Sequence, residues 1–525
     1  MIPVPGRKAL PLGYLCAAFL CAALLWTGLP GGGGMWPVLL IALVPLLFLA
    51  RVEATPRRRF LYGLAAGLCH FILQLYWIVL VLGRYGGLPC FFSYPAMVLL
   101  ALYMALYVAV FVVVTGAMLR RWQPTTVLWT VPVLWVGLDW LRLVMFSGFP
   151  WMDLGYGMWQ TPLLLQSADV FGHHFLTFLI VFVNSAIFLL VSKSGRDNGG
   201  DRRLLVAGVT VALLAVVIVY GGFRSSSLKK VISQGEKIGV GLVQGNIDQS
   251  EKWAPALQQR TMDIYLGRSR QLLQKPLSPD LIIWPETALP FFPSQSELFS
   301  AVPRLAREHG VAVVTGSPWF EVVDADKRLF NLYNSAFVLS PSGQYSGRYS
   351  KSHLVPFGEY VPLKRFLFFL APLVEAVGDF TPGKIEKPLV AQKARCGILI
   401  CYESIFPDIA RKWVDNGANL LVNLTNDAWY GRSSAPYQSM AMSVLRAVES
   451  RRSLVRAANT GISGFVDPLG RVKASSAIFV DWAESRDVVL LDHKSFYSRY
   501  GYFFGPACFV LAVVMFCCLL YAGKK

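Results

Sequence analysis

Two textures of hydrophobic and polar positions divide this chain. Long apolar stretches occupy 10–28, 35–50, 60–83, 91–119, 126–146, 168–192, 203–222 and 502–522. Each approaches the roughly 17–25 residues that cross a bilayer as a helix, so eight transmembrane helices are expected. The second stretch is short, and the fifth is interrupted by Asp139 and Arg142. The first is followed by a turn at Gly31 to Gly34 with no small-x-small cleavage site, so it is expected to stay as an anchor and not to be a signal peptide.

From Lys237 the runs shorten to strand length and alternate with helical periodicity. Strands are expected at 238–243, 281–284, 310–316, 396–401 and 419–424. A hairpin is expected where 334–339 and 343–349 flank Ser340-Pro-Ser-Gly343, and a last pair of strands around Asp467-Pro-Leu-Gly470. Helices are expected at 256–273, 294–309 with a kink at Pro303, 407–416 and 439–458. Strands alternating with helices, plus hairpins, indicate a layered α/β domain with mixed sheets. The expected domains are a transmembrane domain over 1–222, an α/β domain over 223–500 and a closing transmembrane helix over 501–525.

Composition agrees with this division. The chain is 55% hydrophobic and only 15% charged, against about 25% charged in soluble proteins. Its net charge of +18 raises the question of nucleic acid. The basic residues lie in short loops between apolar stretches, where membrane topology accounts for them, so no nucleic-acid partner is expected. Alternating the eight stretches puts Arg7, Lys8, Arg51, Arg57, Arg58, Arg59, Arg120, Arg121, Lys193, Arg196, Arg202, Arg203, Lys524 and Lys525 on one side. That side is expected to be cytoplasmic, with both termini, and 223–500 to lie outside the cytoplasm.

The nine cysteines do not read as a disulfide framework. Cys16, Cys21, Cys69, Cys508, Cys517 and Cys518 fall in apolar stretches, and Cys90 at the end of one. Cys396 and Cys401 belong to the α/β domain, five apart on one expected strand, and so point to opposite faces. An unpaired thiol in an oxidising compartment is a liability, which favours a chemical role for Cys401 over packing.

Cys401 ends the apolar run of Cys396-Gly-Ile-Leu-Ile-Cys-Tyr-Glu-Ser404. A thiol is mostly protonated at neutral pH and needs a base to act as a nucleophile. Glu286, after Trp284-Pro285 at the mouth of another strand, is the candidate base. Lys351 and the backbone N–H of Tyr402 are candidate donors to an oxyanion. Glu359 and Glu403 are candidate supports for the lysine and the nucleophile. Any one of these has a plainer reading as an ion pair or a core cysteine; the set together points to acyl transfer through a thioester. His353 is read as structural. The neighbours His173 and His174 diverge by about 100° on a helix, so joint metal binding is not expected. No zinc, EF-hand, Walker or dinucleotide motif is present, and neither metal nor cofactor is expected.

Read in order, the motifs resemble one family. They are Gln244-Gly-Asn246 with Trp253, Trp284-Pro-Glu-Thr287, Lys351-Ser-His-Leu-Val-Pro-Phe-Gly-Glu-Tyr-Val-Pro362, Cys401-Tyr-Glu403, Asn423-Leu-Thr-Asn-Asp-Ala-Trp-Tyr-Gly431 and Arg456-Ala-Ala-Asn-Thr-Gly-Ile-Ser463. The chain resembles the apolipoprotein N-acyltransferases, the membrane-bound branch of the nitrilase (carbon–nitrogen hydrolase) superfamily. The resemblance implies a nitrilase-like αββα sandwich carried on an eight-helix membrane domain. It implies Glu286 as general base, Lys351 as oxyanion stabiliser and Cys401 as nucleophile, with Glu359 as a further active-site glutamate and Tyr402, Glu403 and Trp253 around the pocket. It also implies a two-step reaction in the bacterial inner membrane. Cys401 takes an acyl chain from a phospholipid, phosphatidylethanolamine being the expected donor. The thioester then passes it to the α-amino group of a diacylglyceryl-cysteine apolipoprotein.

For the lipid path, Phe366 and the greasy run 366–374 are expected to dip into the bilayer surface, and Phe291-Phe292-Pro293 to form a second apolar arm. Phe149 and Trp151, at the outer end of the fifth stretch, are candidates to line it. A monomer is expected. Two alternatives remain open: a membrane-anchored amidase or nitrilase that passes the acyl group to water, and a non-enzymatic receptor or transporter.

Overall fold

The computed structural model describes residues 12–52, 54–192, 200–324, 326–327, 329–362 and 379–521. Phe366 and the run 366–374 lie outside the described residues. Two compact units emerge, one of 1–79, 89–223 and 502–525, the other of 80–88 and 224–501.

The first unit is helical. Among the described residues, helices Cys90–Arg121, Pro124–Val144, His173–Val191, Asp201–Gln234 and Phe504–Tyr521 are long and apolar enough to cross a membrane. Pro56–Leu75 and Trp77–Tyr85 form a sixth span if the pair, bent by 47°, is one span. The first two expected spans are the shorter apolar helices Leu12–Gly28 and Trp36–Arg51. The count of eight thus reduces to five or six by length, although the described residues of all eight stretches are largely helical.

Asp139 and Arg142 do not interrupt the fifth stretch. Both are buried in one continuous helix, Pro124–Val144, where they pair at 3.2 Å. Arg142 also pairs with the buried Asp153. His173 and His174 converge, contrary to expectation: their ring centroids are 4.1 Å apart. Their Nε2 atoms lie 3.0 and 3.5 Å from the same oxygen of Asp153. The divergence on a helix applies to the Cα–Cβ bonds; at the first turn the rings reach back to one carboxylate. These three side chains bring ligand atoms within 4.8 Å of one another. Arg142 shares the carboxylate, and Tyr502 meets His174 Nδ1. The group thereby closes on itself as a buried ion-pair and hydrogen-bond network.

The helix Gly200–Gln234 continues past the apolar stretch that ends at 222. Its last turns carry Leu228 and Ile232 at helical spacing, and these pack on Leu469, Val489 and Leu491. Helical propagation needs only that one buried stripe, which polar flanks concealed in the sequence.

Among its described residues the second unit contains twelve strands: β1 Glu236–Gln244, β2 Leu281–Ile283, β3 Ala312–Asp324, β4 Leu329–Leu339, β5 Tyr345–Ser350, β6 Leu389–Ala391, β7 Ala394–Ile400, β8 Leu420–Thr425, β9 Ser453–Ala458, β10 Gly464–Val466, β11 Val472–Ser475 and β12 Trp482–Leu490. One six-stranded sheet runs β12-β1-β2-β3-β4-β5 and the other β11-β10-β9-β8-β7-β6. The expected hairpin is β4–β5, antiparallel with Ser335 opposite Ser350. The central strands of each sheet are parallel and buried on both faces, which explains their unbroken apolar runs. Helices Gln258–Leu273 and Ala301–His309 pack on the first sheet, and Pro407–Asp415 and Ala435–Ser450 on the second. The arrangement is an αββα sandwich.

Two readings of secondary structure change. The expected helix over 439–458 is the helix Ala435–Ser450 followed by β9. Arg451 stops the helix in the left-handed region (φ 51°), and Ser453 to Ala458, buried throughout, pair between β8 and β10. Pro303 makes no kink, because the α-helix starts only at Ala301 and the proline falls in its first turn.

Candidate active site

Each expected chemical residue follows the C-terminal end of a strand. Glu286 comes after β2, Lys351 after β5 and Cys401 directly after β7. Parallel neighbours bring such ends to one edge of a sheet, and two of these edges meet here. Glu286 Oε2 accepts the backbone N–H of Asn426, just beyond β8 of the other sheet, at 2.8 Å.

Asn334, in the middle of β4, joins the two glutamates. Its Nδ2 donates to Glu286 Oε1 at 2.7 Å and to Glu359 Oε1 at 3.0 Å. Glu359 in turn holds Lys351, with Nζ 3.0 and 2.8 Å from its two oxygens. Val355 N–H donates to Glu359 Oε2 at 2.8 Å and closes the turn between them. All four side chains are buried. Burial works against the Lys351 charge, but the carboxylate of Glu359, with Cys401 and Glu286, outweighs it and raises the lysine's pKa. The lysine is a fixed ammonium.

Cys401 is displayed on a turn with φ of 53°, unusual for a non-glycine residue. Glu403 builds that turn. Its Oε2 accepts Ile400 N–H at 2.8 Å, and its Oε1 accepts Ser352 N–H (2.8 Å), His353 N–H (3.1 Å) and the Tyr349 hydroxyl (2.6 Å). One carboxylate thus clamps the residues after Lys351 to the turn of Cys401. Burial raises the pKa of Glu403. The Cys401 thiol is pushed up to about 12, first by burial and then by Glu286, with Lys351 pulling the other way. The resting sulfur is a thiol. Beneath it, Thr425 hydrogen-bonds to the sulfur and donates to Asp427 at 2.8 Å. Asp427 is paired with the buried Arg456 at 2.9 Å. The Asn423–Gly431 and Arg456–Ser463 motifs therefore form the floor under the nucleophile.

Tyr402 is buried, its ring 5.0 Å from Phe406 and 5.9 Å from His353. Trp253 is 46% exposed on the turn after Asn246. Beside it, Lys252 is buried and donates to Thr287 Oγ1 at 2.6 Å and to the Glu286 carbonyl at 3.2 Å. Burial lowers its pKa to about 7, against the opposing pull of Glu286 and Cys401. Phe291 lies in the core of the first sheet and its helices, and Phe292 meets Phe320 edge-on at 5.1 Å, so this pair is no free apolar arm. In the helical unit, Trp151 is buried against Trp77, with centroids 4.6 Å apart, and Phe149 stacks on it at 5.8 Å.

Sequence reasoning passed over Asn334, Lys252 and Asp427. Asn334 is a polar residue opening the expected apolar run 334–339, and Lys252 precedes a singled-out tryptophan; a polar side chain committed to burial was the available signal. Which carboxylates they meet depends on strand order.

Residues 239–480 match the carbon-nitrogen hydrolase model, and 14–186 the model of the apolipoprotein N-acyltransferase N-terminal domain. Three relatives are apolipoprotein N-acyltransferases. That of Geobacter metallireducens is 41% identical over 515 residues, covering 98% of this chain and 96% of its own. That of Methylococcus capsulatus is 36% identical, covering 83% and 82%, and that of Pasteurella multocida 31%, covering 89% and 88%. With a thiol, an ammonium and two carboxylates at the joined sheet edges, and similarity running through both units, the chain belongs to the apolipoprotein N-acyltransferase family.

Proposed function

We propose that the protein transfers a fatty acyl chain from a phospholipid to the N-terminal α-amino group of diacylglyceryl-cysteine apolipoproteins, through a thioester on Cys401. The observation that carries the chemistry is the convergence of Glu286 and Lys351 on the Cys401 thiol, with Asn334 and Glu359 linking the base to the lysine. The apolar helices of the same chain support a lipid donor.

Glu286 takes the thiol proton, and the thiolate attacks the ester carbonyl. The oxyanion is stabilised by the Lys351 ammonium and the Tyr402 N–H. The tetrahedral intermediate expels the glycerol oxygen, which receives the proton from Glu286, and a lysophospholipid leaves. The acceptor amine then attacks the thioester, passes a proton to Glu286, and the sulfur departs and is reprotonated. The product is an amide. Glu359 keeps Lys351 charged and placed, Glu403 holds the nucleophile's turn, and Trp253 is the aromatic side chain available to an arriving chain. The donor in this reading is phosphatidylethanolamine. The protein acts as a monomer in the bacterial inner membrane, with the α/β domain periplasmic and the arginine-rich helix ends cytoplasmic.

Intact-mass measurement after incubation with phosphatidylethanolamine vesicles tests this. An adduct of one acyl mass is expected, labile to hydroxylamine, absent in Cys401→Ala and discharged by a diacylglyceryl peptide with a free amine. Discharge by water at the same rate would mark a hydrolase instead. No adduct on folded protein would overturn the role of Cys401 or the donor.

A further inference from the structure

Far from the catalytic residues in sequence, helix ends of the apolar unit enclose a cavity of about 110 Å³. Arg51, Arg121, Arg202 and Arg203 line it, together with Phe188 and Trp122. None of the described residues lining it is acidic.

The arginines come from the ends of different helices: Arg51 closes Val44–Arg51, Arg121 closes Cys90–Arg121, and Arg202 and Arg203 open Gly200–Gln234. Three of them bond only to neutral acceptors among the described residues. Arg202 donates to Gln123 Oε1 at 3.0 Å, Arg203 to the Ser192 carbonyl at 3.4 Å, and Arg121 to the Leu519 carbonyl. Membrane topology explains why arginines sit at these ends. It does not explain their convergence on a cavity with an apolar inner wall. Guanidinium groups match phosphate oxygens through paired N–H donors, and basic pockets between membrane helices suit anionic headgroups.

We infer that this arginine-lined cavity binds the phosphate of an anionic phospholipid, its headgroup among Arg121, Arg202 and Arg203 and the start of its chains against Phe188. The site is separate from acyl transfer and stands or falls independently of it. The ligand chemistry, a phosphate group, is shared with free phosphate, and the acyl chains distinguish the two.

The full chain, as Cys401→Ala in neutral detergent so that no acyl transfer occurs, is titrated with phosphatidylglycerol, phosphatidylcholine and inorganic phosphate, with bound lipid counted by native mass spectrometry. Phosphatidylglycerol is expected to bind at least tenfold more tightly than phosphatidylcholine. That preference should fall at least tenfold when Arg121→Gln, Arg202→Gln and Arg203→Gln are combined. Should the triple variant unfold, the exposed Arg202→Gln and Arg203→Gln pair is read instead, with at least a threefold loss expected. Unchanged phosphatidylglycerol binding in a folded variant would overturn the inference. So would binding of inorganic phosphate as tight as that of the lipid, because the apolar wall would then contribute nothing. With the Cys401 thiol restored, the variant should form its acyl adduct at the parent rate.

Discussion

Glu286 and Asn426 meet at 2.8 Å, a carboxylate from the end of β2 accepting the backbone N–H just beyond β8. The contact ties the two sheets at the edge where the proposed base faces the proposed nucleophile. The other oxygen of Glu286 is taken by Asn334, so both face N–H donors.

Glu286→Gln therefore loses more than a charge. Its amide nitrogen must face either Asn334 Nδ2 or Asn426 N–H, donor against donor. Formation of the Cys401 adduct should slow about 10²–10⁴-fold, the range for a lost general base. Stopped-time intact-mass measurement reads this, with circular dichroism to confirm folding.

Lys351 and Glu359 form a buried pair, and removing one partner strands the other. Lys351→Met should cost about 3–5 kcal/mol of stability. Combining it with Glu359→Gln should cost less than the sum of the two single changes, by about 0.5–3 kcal/mol. Unfolding in detergent for all four members of the cycle checks the sign. Neither single variant should accumulate thioester.

Lys252 carries the clearest pH dependence. Its pKa, about 7 in the fold because of burial, lies below the ordinary lysine value of about 10.4. Between these two values the unfolded chain binds the extra proton, so this lysine makes stability rise as pH increases from about 7 toward 10. Lys252→Met should remove that slope: the gap in melting temperature between variant and parent changes with pH in this window and levels off above it. A constant gap would place the lysine's titration elsewhere.

Gly461 lies against the floor of the site. A Cβ at this position would sit 1.9 Å from Asp427 Oδ2, so Gly461→Ala must displace the Asp427–Arg456 pair. A cost of about 1–3 kcal/mol is expected from overpacking, together with slower acylation, since Thr425 links Asp427 to the sulfur. Melting temperature and adduct rate should fall together.

The amino-acid sequence alone determined the helical and α/β division of the chain, the buried core strands and the strand-end positions of Glu286 and Cys401. These are local properties. Apolar run length separates a membrane helix from a buried strand, and the catalytic motifs are contiguous. What only the tertiary structure decided depends on residues distant in sequence. Asn334 bridges two glutamates because β4 lies between β3 and β5. The pKa of Lys252 falls because the fold buries it, in spite of the nearby Glu286, and Arg456 finds Asp427 because β9 pairs with β8. The helix expected through 458 failed for the same reason. Hydrophobic periodicity does not record that Arg451 turns the chain, or that a slot between two strands awaits the residues that follow.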